Sequence, residues 1–331
     1  MSRAPATGGR SSRSRASAAR GGNRGSSSPP ARAPRGRARV DGVGELPAAL
    51  RRAGLAPRKA LGQNFLVDEL ALARIAEAAR VEPGDTVLEV GAGPGGLTAE
   101  LVARVGQNGH VVAVEIDEEL ADLARRRVPS ERLDVLAADV LDFEAPELLA
   151  EGGAASPYIA VGNLPYYITQ PVLRRLLEAE PPPERIVVLV QRELARRIVG
   201  GEGRESLLSL VVRLYGDAEL VLELPPSAFW PPPKVHSALV RVERTVQPPL
   251  ALAPGEREAL VLLLRAGFSA PRKQLHNVLP GALALPADVL APALAEAGIE
   301  PSLRAQHLAL TDWARLLRVL LARQPRSLEA G

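Results

Sequence analysis

Residues 87–96 read VLEVGAGPGG. A short apolar run of strand character enters a turn holding four glycines, and an amphipathic stretch, residues 97–105, follows it. Glycine tolerates positive φ and lets the backbone approach a ligand closely. A strand, a glycine turn and a helix in that order form the opening unit of a nucleotide-binding α/β fold. Taken alone, the turn also reads as a tight strand–helix connection.

Working outward, the pattern repeats. A helix is expected after Asp68, its cap, with Leu70, Leu72, Ile75, Ala76 and Ala79 near helical spacing. Strands are expected at Thr86–Val90, Val111–Glu115, Leu133–Ala137, Tyr158–Val161 and Ile186–Val190, with helices between them through Leu97–Val105 and through Leu120 and Leu123. Such alternation predicts an α/β fold: a Rossmann-like sheet, parallel and covered by helices on both faces. Past Arg244 the character changes. The stretch 245-TVQPPLALAPGE-256 reads as a linker, and the remainder is helical in pattern to about Arg323, with Thr311 a candidate cap for the last helix. Three regions follow: an extension over 1–45, a catalytic domain over 46–246 and a smaller C-terminal all-α domain over 247–331.

The 331 residues carry 41 basic and 38 acidic side chains. Ten of the basic residues are arginines within residues 1–39, a segment with no acid, which leaves 31 basic against 38 acidic residues in the remainder. The basic character therefore belongs to the extension. Rich in Gly, Ser, Pro and Arg, that extension cannot bury enough surface to offset its ordering entropy and reads as disordered. A phosphate-binding arm, a transit peptide and an inert extension all fit its composition. Cysteine is absent, so disulfides and thiolate chemistry are excluded. The four histidines, His110, His236, His276 and His307, match no zinc spacing, and no metal is expected. No apolar run reaches the length of a membrane helix. A cytoplasmic monomer is expected.

Three further acids and amides narrow the ligand. Glu115 ends the second strand in 111-VVAVEIDEEL-120, where a carboxylate can accept hydrogen bonds from both ribose hydroxyls. Dinucleotide and adenosyl-sulfonium sites share that arrangement. Asp139, in 136-LAADVLDF-143, is placed to bond an adenine amino group, although an Asp after a strand also serves as a turn residue. The decisive element is 161-VGNLPYYIT-169, at the fourth strand end. An exocyclic adenine amine is a poor nucleophile because its lone pair is delocalised into the ring. The Asn163 side-chain carbonyl and the Leu164 backbone carbonyl can accept its two N–H bonds and hold it for methylation. Pro165 fixes φ and removes a competing donor. Tyr166 offers a face on which a flipped base stacks; as a plainer alternative, it caps the sheet end.

Five motifs in order, 60-ALGQNFLVD-68, the glycine turn, 163-NLPY-166, 225-PPSAFWPPPKVHSALVRV-242 and 268-FSAPRKQLHNVL-279, resemble the ribosomal RNA adenine dimethyltransferases of the KsgA/RsmA family. The resemblance runs from about Arg58 to Leu279. It implies S-adenosylmethionine as cofactor and N6-dimethylation of two adjacent adenosines near the 3′ end of 16S rRNA, within the 30S subunit or its precursor, during ribosome biogenesis. By position it implies Asn64, Leu66, Gly91, Glu115, Asp139 and Asn163 as cofactor contacts. It also implies Phe229 as the partner of Tyr166 in sandwiching the target adenine, where the plainer reading is a hydrophobic plug in a proline-rich loop. Trp230 departs from the family pattern and receives no role.

Basic residues at Arg58-Lys59, Arg192, Arg196-Arg197, Lys234 and Arg272-Lys273 are candidates for RNA contact. Lys234, Arg272 and Lys273 are favoured because they lie in motif loops, and the C-terminal helices would grip RNA shape and backbone. Rival readings are a methyltransferase of the macrolide-resistance group acting on large-subunit RNA, a non-catalytic assembly or transcription factor on the same fold, and a Rossmann dehydrogenase. The intact cofactor motifs argue against the second and the NLPY element against the third. Leu164 argues against small-molecule and protein-glutamine methyltransferases, which more often carry Pro after the Asn.

Overall fold

The computed structural model describes residues 45–201, 205–245, 250–253 and 255–323. The arginine-rich extension, the tail after Gln324 and the 246/247 boundary lie outside the described residues.

From the N-terminus the elements are α1 (Glu45–Arg52), β1 (Phe65–Leu66), α2 (Glu69–Ala78), β2 (Thr86–Val90), α3 (Gly96–Val105), β3 (His110–Glu115) and α4 (Glu118–Arg127). Next come β4 (Leu133–Ala137), α5 (Ala145–Glu151), β5 (Ile159–Asn163), α6 (Thr169–Glu178), β6 (Arg185–Gln191), α7 (Arg192–Val199) and α8 (Leu207–Arg213). They are followed by β7 (Gly216–Leu224), β8 (Phe229–Trp230) and β9 (Ser237–Arg244). Four helices close the chain: α9 (Glu256–Phe268), α10 (Leu275–Leu283), α11 (Ala287–Glu296) and α12 (Leu310–Arg323).

Seven strands form one sheet in the order β4-β3-β2-β5-β6-β9-β7, the first five parallel and the last two antiparallel. Successive residues of β2, β3, β5 and β6 face opposite cores, which is why these strands read as largely apolar runs, whereas β4 at the sheet edge is partly exposed. Val87, Val111, Val161 and Val187 pack with Ile75 of α2 and Leu101 of α3. Leu88, Val112, Ala160 and Val188 pack with Leu148 of α5 and Leu173 of α6 on the other side.

Asp68 caps α2 as expected, accepting the Ala71 N–H at 3.0 Å. The buried face of that helix is Ala71, Leu72, Ile75 and Ala76, and Leu70 points to solvent. Complete burial of Leu72 and Ile75 contributes roughly 1.5–3 kcal/mol each. Thr311 is not the cap of α12, which begins one residue earlier. Asp312 reaches back instead and accepts the Ala309 N–H at 2.9 Å.

Sequence periodicity predicted a wholly parallel sheet; the structure adds β7 and β9. Both are antiparallel to their neighbours, and the loop joining them carries β8 back toward the N-terminal segment. There β8 pairs with β1 as a two-stranded ribbon, Leu66 opposite Phe229 and Phe65 opposite Trp230. Helices α9–α12 enclose a separate apolar core around Trp313, Leu260 and Leu264, to which Leu210 and Leu214 of α8 contribute. Among the described residues no helix is long and apolar enough to cross a membrane.

Chain direction across the sheet reverses between β2 and β5. From β2 the chain steps outward through β3 and β4, then returns to β5 on the other side. A crevice forms at such a reversal, outside the carboxyl ends of the strands.

Candidate active site

That crevice is a cleft lined among others by Asn64, Gly91, Glu115, Asn163, Tyr166 and Phe229. Val90 and Gly162 are register partners, so Gly91 and Asn163 leave the sheet side by side. Gly91 sits at φ +81°, and a Cβ there would lie 3.4 Å from the Asn163 carbonyl oxygen. The turn therefore needs glycine for its backbone angle.

Glu115 is 8 % exposed, and each of its oxygens is held by a backbone amide. The Gly93 N–H donates to Oε2 at 2.8 Å and the Asp117 N–H to Oε1 at 3.0 Å. Burial pushes its pKa up; the two amides pull it back, and the Asp117 carboxylate adds to the rise. Carboxylate oxygens have two lone pairs each, so the clamped group can still accept two hydroxyls, as a ribose diol requires. Ile116 follows it at the cleft wall, apolar and 48 % exposed, offering an adenine ring a face. Sequence reading passed over Ile116, although an apolar residue directly after the ribose acid was the available signal.

Asn163 donates from Nδ2 to the Asn64 carbonyl at 3.3 Å, which leaves its Oδ1 free to accept. Asn64 in turn donates its own amide to the Gly62 carbonyl at 2.9 Å. Leu164 is buried, with its N–H on the Leu189 carbonyl at 3.3 Å; among the described residues no hydrogen bond occupies its carbonyl. Pro165 uses its carbonyl to hold the start of α6, accepting from Ile168 N–H and Thr169 Oγ1. Tyr166 and Phe229 both line the cleft. The Tyr166 hydroxyl pairs with Ser237 Oγ at 3.0 Å, and burial raises its pKa, so it remains protonated at neutral pH. Phe229 is 3 % exposed and also packs in the core beneath α2 and α3. The plainer reading of Phe229 as an apolar plug accords with this burial.

Two expected contacts stand apart from this cleft. The Leu66 side chain is turned into the core, and its neighbour Phe65 takes the lining position. Asp139 follows β4 and accepts the Leu141 N–H at 2.9 Å as a turn residue does; it is not among the residues lining the cleft.

Trp230 has a structural place. It packs against the apolar cluster of Leu46 and Leu50 of α1, Phe65, Val67, and Leu120 and Leu123 of α4. It anchors the ribbon rather than touching the site.

The structure also sorts the basic residues. Arg58 pairs with Asp117 and Glu119, and Arg192 and Arg196 pair with Glu223. Lys234, Arg272 and Lys273 are exposed and have no ion-pair partner among the described residues. Lys273 shares a groove between α9 and α10 with Arg265, Ser269 and Asn277.

The model of the family described as ribosomal RNA adenine dimethylase matches residues 54–320. A protein of Dehalococcoides mccartyi named ribosomal RNA small subunit methyltransferase A is 43 % identical over 266 residues, 79 % of this chain and 88 % of that protein. Its namesake in Anaeromyxobacter dehalogenans is 41 % identical over 282 residues, covering 82 % and 96 %. Among solved structures, the 23S rRNA methyltransferase ErmE is 31 % identical with a TM-score of 0.60, covering 78 % of this chain and 99 % of that one. A dimethyladenosine transferase from Plasmodium falciparum, 23 % identical, shares the fold with a TM-score of 0.63 over 76 % and 96 %. With its glycine turn, Glu115 and the NLPY element brought into one cleft, the chain belongs to the ribosomal RNA adenine dimethylase family.

Proposed function

We propose that this enzyme dimethylates the N6 amines of two adjacent adenosines in 16S rRNA, acting on the 30S subunit or its precursor as a cytoplasmic monomer. The observation that carries the reading is the orientation of Asn163. Its amide nitrogen is committed to the Asn64 carbonyl, so its oxygen is presented in a cleft that also holds the ribose acid. S-adenosylmethionine is the cofactor and supplies a methyl group on a sulfonium, an electrophile for nitrogen. Glu115 would hold its ribose, the Gly91–Gly93 turn its backbone-facing side, Ile116 its adenine, and Asn64 the opposite wall. Roles for Leu66, through its backbone, and for Asp139 rest on the family resemblance.

Asn163 Oδ1 and the Leu164 carbonyl accept the two N–H bonds of the target amine and orient its lone pair. Tyr166 and Phe229 supply apolar faces for the extruded base, a stacking contact worth about 1–3 kcal/mol. The methylated nitrogen becomes cationic and acidic, so its proton passes to water and no strong side-chain base is needed. Catalysis rests on orientation and hydrogen bonding. Lys234, Arg272 and Lys273, free of acidic partners, are the RNA-backbone contacts in this reading, and the C-terminal helices form the RNA-binding part.

The test is transfer from labelled S-adenosylmethionine to undermethylated 30S and 50S particles, followed by nucleoside mass spectrometry. Label in small-subunit RNA as N6,N6-dimethyladenosine is expected. Label confined to large-subunit RNA would transfer the chain to the specificity carried in the name of ErmE.

A further inference from the structure

We propose that Arg58, Gln63 and Asp117 form a latch that holds residues 58–64 across the cofactor cleft, so that Arg58 is a positioning residue for the cofactor and not an RNA contact. The inference rests on the cofactor reading above.

Residues 61–65 supply one wall of the cleft, and Glu115 and Ile116 belong to another. The segment before Asn64 has little of its own to keep it there. It contains a single 3-10 turn, Lys59–Leu61, with no buried residue, and a glycine at φ +60°. Its far end is fixed by the β1–β8 ribbon and the burial of Phe65. At its near end, polar contacts take over. Arg58 reaches Asp117 Oδ2 at 3.2 Å and Glu119 at 2.5 Å. Gln63 Nε2 donates to the same Asp117 oxygen at 3.1 Å, and the Arg58 backbone N–H donates to Gln63 Oε1 at 2.7 Å.

Asp117 is where this latch meets the ligand site. Its side chain holds the strap while its own N–H orients the Glu115 carboxylate. Asp117 is 4 % exposed, and among the described residues its Oδ1 has no hydrogen-bond partner and Arg58 is the cation paired with it. Exposed ion pairs contribute little, but removing the partner of a buried charge leaves that charge uncompensated. Every methyl transferred consumes one cofactor, so the spent molecule must leave and be replaced. A strap closed by polar contacts, exposed on the Arg58 and Glu119 side, can open for that exchange where an apolar seal could not.

The test is calorimetric titration of S-adenosylhomocysteine into the wild type, Arg58→Met, Gln63→Ala, Asp117→Asn and the Arg58→Met/Asp117→Asn double variant. It is paired with release rates and with kinetics on 30S particles. Arg58→Met should weaken binding about tenfold and speed release similarly. KM for the cofactor should rise with it, while kcat stays within about twofold and RNA affinity is unchanged. Gln63→Ala should move the same way, and the double variant should lose no more than its worse parent. Arg58→Lys should recover part of the loss. Wild-type affinity in Arg58→Met, or a loss confined to RNA binding, would overturn the latch. Should Asp117→Asn fail to fold, the two strap variants decide alone. A wild type unable to bind S-adenosylhomocysteine would overturn the cofactor reading itself, and the latch with it.

Discussion

The Asn163 side chain donates to the Asn64 carbonyl at 3.3 Å, a contact between residues 99 positions apart. That bond decides which end of the amide is available to a substrate. It also ties the N-terminal strap, which forms one wall of the cleft, to the end of β5. Asn163→Ala should therefore lose orientation of the amine and one anchor of the strap together. A fall in kcat of at least about 10²-fold is expected, the scale for losing one preorganised hydrogen-bonding group. Because Asn163 is only partly buried and outside the apolar cores, the far-ultraviolet circular dichroism and thermal midpoint should be unchanged. Wild-type turnover in that variant would sink the mechanism.

Tyr166 and Phe229 line the same cleft but should respond differently to truncation. Tyr166→Phe loses only the 3.0 Å bond to Ser237 and keeps its ring, so turnover should fall less than tenfold. Tyr166→Ala should lose about 1–3 kcal/mol of base stacking, read as weaker transition-state binding in kcat/KM. Phe229→Ala adds a cavity in the core under α2 and should cost about 3–5 kcal/mol of stability as well. Urea unfolding of both alanine variants separates the two: only Phe229→Ala should shift the midpoint strongly.

Why some of this was legible in sequence, and some not, follows from where the determining contacts lie. Strands β2, β3, β5 and β6 are buried on both faces and announce themselves as largely apolar runs, and Asp68 announces α2 by a bond to a residue three positions on. β7 is an edge strand that alternates, with Glu219 and Glu223 exposed and Leu224 buried, and β9 was read as motif and not as strand. A period-2 reading of residues 219–224 would have found the first. Arg58 was grouped with the RNA candidates because its partners are 59 and 61 residues away. No local pattern encodes such a pair. Trp230 is the same case: its neighbours come from α1 and α4, which adjoin only after β8 pairs with β1.

Among the basic residues, ion pairing separates two classes that sequence could not. Lys234→Ala, Arg272→Ala and Lys273→Ala should each weaken RNA binding across sequences and lower the slope of log affinity against log salt by about one. Arg196→Ala should change neither, since its guanidinium already faces Glu223 at 3.7 Å. Fluorescence anisotropy with a small-subunit RNA fragment between low and moderate salt measures both quantities. An unchanged slope in all three of the first set would remove them from the interface.

Glu89 gives a pH dependence that is independent of catalysis. It lies in β2, fully buried, and among the described residues neither carboxyl oxygen meets a partner at hydrogen-bond geometry. Burial drives its pKa up to about 8; the nearby Thr98 hydroxyl offsets part of the rise and the Glu115 carboxylate adds to it. The unfolded chain releases this proton near 4.5, whereas the folded protein holds it to about 8. The folded state thus binds the extra proton in that window, and its stability falls as pH rises through it, levelling off above. Glu89→Gln has no proton to lose. Its stability relative to the wild type should therefore improve from pH 5 to pH 8.5 by at least about 1 kcal/mol, whatever constant offset the amide introduces. Every other titrating group is common to both proteins, and all but Glu115, which interacts with Glu89, cancel. Urea midpoints at the two pH values measure the difference, and an equal offset at both would mean that Glu89 is ionised in the folded protein at neutral pH.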